Sequence, residues 1–308
     1  MSKTFDGLMT DLSEKTGYSY EFLVEKYSST SDDEWEEFVV KAKERKKRIQ
    51  ERLEHDYKYV TDLGHNVLGI FLQGSQNYNL DYEGSDIDTK AIIIPSFEDF
   101  VLNRKPVSTT LILPSNEHID LKDIRLMHEC FRKQNINFLE ILFTNHKVLN
   151  PEYADLYSPM FENREHIAHY NNYAAVNCIA GMVFEKRKAL THPYPTLLDK
   201  IEKYGYDNKQ LHHILRCSEF LERYIDGEWY ENCLISKKAE KLTKIKADYI
   251  YSLDKAVDLA DKFVEHVKKV KQEYMDTHPV KINGEVDNIM NDVLINVLKH
   301  AFRKEIGE

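Results

Sequence analysis

The stretch from residue 67 to residue 95, VLGIFLQGSQNYNLDYEGSDIDTKAIIIP, constrains the fold more than any other part of the chain. Residues 67–72 are a continuous apolar run. Residues 87–94 form a second run, β-branched at its end and stopped by Pro95. Apolar runs of this length, bounded by turn residues, read as buried strands. The insert between them is polar and turn-rich, with Tyr78 and Leu80 marking a possible short helix. It opens on Gly74-Ser75 and closes on Asp86-Ile87-Asp88. Two flanking strands that pair would bring the two ends of the insert together.

Alternation along a strand puts Asp86 and Asp88 on one face and turns Ile87 toward the core. Two carboxylates so spaced can share hard divalent cations. Mg²⁺ takes oxygen ligands and often needs only one or two carboxylates, with phosphates and waters completing its shell. A two-metal site of this kind holds its ions roughly 3.5–4 Å apart and clamps the attacking and leaving oxygens of a phosphoryl or nucleotidyl transfer. At the other end, Gly74 allows close backbone approach. The Ser75 hydroxyl, with the free N–H groups of a helix start, suits a phosphate. Gly-Ser alone is an ordinary turn, and Asp-x-Asp alone is common on solvated edge strands. The ordered combination of strand, Gly-Ser, about ten residues, Asp-x-Asp and strand points to a metal–nucleotide site.

The remainder sets this unit in an α+β frame. Residues 1–60 read as helical. Ser31 is an N-cap candidate, followed by acids in the first turn and bases later. Trp35, Phe38, Val39, Ala42, Ile49 and Leu53 form an apolar stripe, while Lys41, Arg45 and Arg48 mark a polar face. The bases between Lys41 and Arg52 read first as a solvated face and second as a nucleic-acid contact. Residues 97–103 read as a short helix, TTLILP and NEHIDL as further strands, and the chain beyond Lys122 as helical. After residue 150 strand signals almost vanish. Residues 166–190, 208–229, 252–276 and 286–307 each read as a helix. The expected organisation is a helical extension (1–60), a small mixed-sheet core (61–150) and a helical C-terminal part (151–308). With no Pro/Gly-rich linker, the last two should pack as one body with a cleft between them.

Composition narrows the class of partner. The 308 residues carry a formal net charge of −10, so broad polynucleotide affinity is not expected and any such binding must be local. No apolar run approaches the roughly 20 residues of a membrane span. The opening MSKTFDGLMTDLSEK has no apolar signal core. Cys130, Cys178, Cys217 and Cys233 form no CxxC pair and read as reduced thiols. The expected setting is cytoplasmic. The histidines make no HxH or HExxH spacing, which disfavours zinc.

The Gly-Ser…Asp-x-Asp pattern resembles the nucleotidyltransferase superfamily named after DNA polymerase β. Within it, the chain looks most like a group of predicted nucleotidyltransferases associated with RNA repair in bacteria and phages. The likeness is carried by GSQNYNLDYEGSDIDTKAIIIPS, by DIRLMHECFRKQNINFLEILF and by DNKQLHHILRCSEFLERYIDGEW, and covers roughly residues 65–300. The resemblance implies a mixed-sheet core with helices, two Mg²⁺ ions (with Mn²⁺ as a substitute) and a third carboxylate on a later strand. Asp120, alternating with Ile119 and Leu121, is the choice for that carboxylate. Of its rivals, Glu117 falls on the opposite face and Asp123 is placed to cap a helix. Lys209, His213 and Arg216 share a helix face, and the resembling family carries the same spacing there. They are the expected nucleotide-binding residues together with Gly74 and Ser75. Glu140, a lone acid among apolar residues, is expected to pair with a buried base and position the core. The implied activity is Mg²⁺-dependent transfer of a nucleoside monophosphate from an NTP, ATP included, to a hydroxyl. An RNA end is the favoured acceptor, with a protein or small molecule as alternatives. A non-catalytic nucleotide-binding regulator is the competing class.

Overall fold

The computed structural model describes residues 4–82 and 85–307. Helices α1 (Phe5–Thr16), α2 (Tyr20–Ser29) and α3 (Asp32–Asp62) come first. Next are β1 (Asn66–Gln73), a 3-10 turn (Gly74–Tyr78), β2 (Asp88–Ile94), α4 (Phe97–Val101), β3 (Ser108–Ile112) and β4 (His118–Asp123). They are followed by α5 (Ile124–Arg132), α6 (Ile136–Leu139), a second 3-10 turn (Glu140–Leu142) and β5 (Lys147–Leu149). The remaining helices are α7 (Pro151–Glu162), α8 (Arg164–Ala168), α9 (Asn172–Ala189), α10 (Leu198–Tyr204), α11 (Asn208–Ile225), α12 (Tyr230–Leu234), α13 (Ala239–Ala247), α14 (Leu253–Thr277) and α15 (Gly284–Ile306). The chain is thus α+β, with five strands among the described residues.

The strands form one mixed sheet in the order β3-β4-β2-β1-β5. β1 runs antiparallel to β2 and β5, β2 parallel to β4, and β3 antiparallel to β4. The period of two sorts its side chains between two cores. Ile70, Leu72, Ala91, Ile93, Ile119 and Leu121 pack against Ile49, Leu53 and Val60 of α3. Leu68, Phe71, Ile92 and Ile94 join a second core that runs on without interruption into α9, α11, α14 and α15. The sheet is therefore sandwiched between α3 and the C-terminal helices, and the core and the helical part share one apolar interior.

That arrangement changes the standing of α3. Ser31 is its N-cap as expected, and a capping box completes it, with the Ser31 backbone N–H donating to Glu34 at 2.9 Å. Its second half, however, is a layer of the sheet unit. Arg45, expected on the polar face, is 6 % exposed. Its Nε donates to Gln76 at 3.0 Å and to Asp81 at 3.3 Å, and its guanidinium lies 4.9 Å from the Tyr18 ring centroid. Arg52 is also buried. Residues 42, 45, 49, 52 and 56 follow one another at steps of three and four, so both arginines fall on the inward stripe. Residues 166–190 are two helices. Asn171 accepts the Ala174 N–H at 2.9 Å and starts α9 afresh, because a short amide side chain competes for backbone hydrogen bonds.

Candidate active site

The insert of the opening stretch closes as its strands require. β1 and β2 pair so that Gln73 lies opposite Asp88, and Gly74 follows directly. Gly74 has φ +76°, a left-handed conformation, and a Cβ there would come within 3.2 Å of Asp88 Oδ2. Glycine is thus needed twice, for the backbone angle and for the close approach to the carboxylate. The turn it opens is sealed by Leu80 N–H donating to the Ser75 carbonyl at 3.0 Å. At the other end, Ile87 packs with the α3-side core. Asp86 and Asp88 turn the other way and both line a cleft of about 190 Å³.

The opposite wall is helical. Ser75, Tyr82, Ser85, Asp86 and Asp88 face Lys200 of α10, Asn208 and Lys209 of α11 and Lys246 of α13. Asp207 caps α11 by accepting the Lys209 N–H at 3.2 Å, and Lys200 Nζ lies 3.5 Å from the same carboxylate. Asn208 Nδ2 donates to the Lys246 carbonyl at 2.9 Å. Those contacts lock the three lysine-bearing helices together. Burial raises the Asp88 carboxyl above its usual range. Lys209 pulls it down and Asp86 pushes it up, with weaker pulls from His118 and Lys246. Burial lowers Lys246, with Lys209 beside it adding to the effect. Two like-charged pairs therefore face each other across a small space. A bound group carrying both cationic and anionic parts would relieve both.

The site residues expected from sequence are only partly brought together. Ser75, Asp86, Asp88 and Lys209 meet at the cleft, with Gly74 close beside Asp88. Arg216 does not line it: the side chain is buried, with its guanidinium 4.2 Å from the Tyr78 ring centroid. His213 is held neutral, its pKa pushed well below the ordinary histidine value by burial and the nearby cations. Its ring is not part of the cleft wall. Asp120 is set apart by register. Parallel pairing puts it opposite Lys90, two residues beyond Asp88 and so roughly 6–7 Å further along the sheet. There it lies 2.5 Å from Lys90 Nζ and 2.8 Å from Lys122 Nζ. The rival carboxylates are engaged too: Glu117 pairs with Arg52, and Asp123 caps α5 by accepting the Arg125 N–H at 2.8 Å. Sequence reasoning missed Lys200, Asn208, Tyr82 and His118. Lys246 ends a basic stretch, residues 237–246, and was missed as a cleft residue. Gly84, quoted with the motif, lies outside the described residues.

Whether the site suits a metal turns on its donors. Among the described residues no group of three His, Cys, Asp or Glu side chains could hold an ion. Among the described residues, Asp86 and Asp88 are the carboxylates that line the cleft. That set fits Mg²⁺ in the form in which a nucleotide's own phosphates supply further oxygens. It does not suit zinc, which takes a closed set of nitrogen and sulfur ligands in structural sites. Among the described residues no helix is long and apolar enough to cross a membrane. No protein-family model matches the chain, and no curated protein matches it.

Proposed function

We propose that the chain is a Mg²⁺-dependent nucleotidyltransferase of the polymerase β-like type. It moves a nucleoside monophosphate from an NTP to a hydroxyl acceptor and releases pyrophosphate. One observation carries this reading: the Gly74-Ser75 turn and the Asp86/Asp88 pair open onto one cleft whose far wall presents Lys200, Lys209 and Lys246. The sequence pattern that resembles that superfamily points the same way.

Asp86 and Asp88 would hold the metal with the triphosphate, where it neutralises phosphate charge and lowers the pKa of the attacking hydroxyl. The Ser75 hydroxyl and the tight Gly74 backbone fit a phosphate at the near wall. Lys209 and Lys246 stabilise the negative charge that grows on the departing pyrophosphate. In the transfer the acceptor oxygen bonds to the α-phosphorus, the α–β bridging bond breaks, and the acceptor proton leaves to solvent. Asp120 acts as counter-ion to Lys90 and Lys122 in this scheme. An RNA end is the favoured acceptor, because exposed Lys241 and Lys244 continue along the helix that carries Lys246. The test is incubation with each labelled NTP and Mg²⁺, with and without cellular RNA. Label should appear in RNA and be lost in Asp86→Ala and Asp88→Ala. Label in protein instead would move the acceptor, and label in nothing would sink the enzyme reading.

A further inference from the structure

One aromatic ring stands at the cleft that neither a metal nor phosphates account for. Among the described residues the cleft is otherwise lined by serine, aspartate, asparagine and lysine, and Tyr82 supplies its one ring. Tyr82 is 42 % exposed, yet the backbone around it is fixed from several sides. Leu80, whose N–H already bonds to Ser75, accepts Lys246 Nζ on its carbonyl at 3.3 Å. Asp81 accepts Arg45 Nε of α3 at 3.3 Å, and the same Nε reaches Gln76 Oε1 at 3.0 Å. Tyr82 and Ser85 bond to each other twice. The Tyr82 N–H donates to Ser85 Oγ at 2.9 Å, and the Ser85 N–H donates to the Tyr82 carbonyl at 2.9 Å. Gln76 Nε2 in turn donates to the Ser85 carbonyl at 3.5 Å. Residues 80, 81 and 82 are thus held in succession by α13, by α3 and by Ser85, while the Tyr82 ring stays open to the cleft. Lys246 Nζ lies over the ring, 5.1 Å from its centroid, which leaves the opposite face for a ligand.

We propose that Tyr82 is the platform on which the base of the NTP stacks. This rests on the nucleotide reading of the cleft and adds the base end to it. Magnesium and phosphates are bound by oxygens, charges and hydrogen bonds, and gain little from an aromatic face. A nucleobase is a flat π-system and stacks on such a face whatever its edge carries. A residue fixed in advance by its backbone loses less freedom on binding, so more of the stacking energy appears as affinity. Lys246 joins the two ends of the ligand, since it lies over the ring and lines the same cleft as Asp86 and Asp88. The base that meets Tyr82 is therefore the one tethered to the bound triphosphate and not one of the acceptor. Stacking tolerates any base, so Tyr82 serves all four NTPs alike.

The test uses the full chain as wild type, Tyr82→Ala and Tyr82→Phe, with Tyr82→Gln in place of the alanine form should that form not fold. Each is titrated with Mg·ATP and with Mg·tripolyphosphate, which carries the phosphates and no base. Tyr82→Ala should lose about tenfold in ATP affinity, the size of one lost base–aromatic stack. Its affinity for tripolyphosphate should stay within about twofold of wild type, since no stack is lost there. Tyr82→Phe keeps the ring and should restore ATP affinity to within about twofold. Unaltered ATP affinity in the alanine form overturns the proposal, and if RNA binding weakens instead, the ring belongs to the acceptor. An equal loss for ATP and tripolyphosphate overturns it too, because the ring would then act on the phosphates or on the shape of the cleft. So does a phenylalanine form as impaired as alanine. A wild-type chain that binds tripolyphosphate and not ATP removes the platform alone. One that binds neither sinks the nucleotide reading of the cleft, and the platform with it.

Discussion

Replacing Asp56 by alanine tests whether α3 belongs to the sheet unit. The Asp56 carboxylate is fully buried. It accepts from Arg52 Nε at 2.8 Å and Thr89 Oγ1 at 2.6 Å, and His55 Nδ1 lies 3.0 Å away. Thr89 belongs to β2 and is itself fully buried. Removing one partner of a buried ion pair costs about 3–5 kcal/mol when the other is stranded. Here Arg52 keeps Glu117, which is 32 % exposed, so the lower end applies. The Thr89 hydroxyl loses its acceptor at a further cost of about 1 kcal/mol. The expected loss is therefore about 4 kcal/mol, a large part of the 5–15 kcal/mol typical of a folded domain. Urea unfolding read by fluorescence reports it, since Trp35 lies on α3 and Trp229 lies between α11 and α12. Both signals should move together to lower urea. A loss below about 1 kcal/mol, less than one buried hydrogen bond costs, would refute the assignment. So would a transition in which Trp35 moves alone, since α3 would then be a separate extension. The double change Arg52→Met/Asp56→Leu should recover much of the loss, because apolar replacement removes the stranded charge.

Other consequences concern the cleft and the buried histidines. Lys209→Ala and Lys246→Ala should each weaken nucleotide binding about tenfold, with unchanged unfolding midpoints, as loss of one charge-assisted contact implies; titration with Mg·ATP reads this. Asp120→Asn should lower stability by about 3 kcal/mol, since Lys90 is buried and loses its charged partner. It should reduce transfer less than Asp88→Asn does, which parallel kinetics and urea curves would show. Burial lowers His146 and His212 to about 3, and lowers His213 well below its ordinary value. Below about pH 6.5 the unfolded chain binds protons that the folded chain refuses. Each histidine then removes about 1.4 kcal/mol of stability per pH unit. Glu140, raised to about 8, has the opposite sign: its contribution is full at low pH and is lost as pH rises toward 8. Three groups outweigh one, so the urea midpoint should fall from pH 6.5 to pH 5, and His212→Gln should make that fall shallower.

The parts of the fold visible in the sequence were those where burial and spacing speak together. β1, β2 and β4 announced themselves as apolar or alternating runs, and the meeting of Gly74-Ser75 with Asp86 and Asp88 follows from pairing the first two. β5 has only three residues and pairs through the middle of β1, too short a run to leave a pattern. Arg45 and Arg52 were misjudged because their charge outweighed their position, although the three-and-four spacing put them on the inward stripe. Lys209 and Arg216 share a helix face, yet the wall of the cleft stops between them. Lys200 comes from a separate short helix whose approach no local pattern encodes. Asp120 alternates correctly, and only the register of β4 against β2 reveals that it faces Lys90. Glu140 was legible in kind, as a lone acid needing a buried base. Arg216, the charge that acts on it, comes from a distant helix and is brought near by tertiary packing.

The most direct test of the cleft as a nucleotidyl-transfer site is release of labelled pyrophosphate from γ-labelled NTP in the presence of Mg²⁺ and cellular RNA. Wild type should release it, and release should stop on chelation of Mg²⁺. Asp88→Asn should lose at least 10²-fold in rate, in keeping with removal of a group that acts at the reacting centre, while keeping its unfolding midpoint. Release that persists undiminished in Asp88→Asn, or that never appears with any NTP and acceptor, would contradict the assignment.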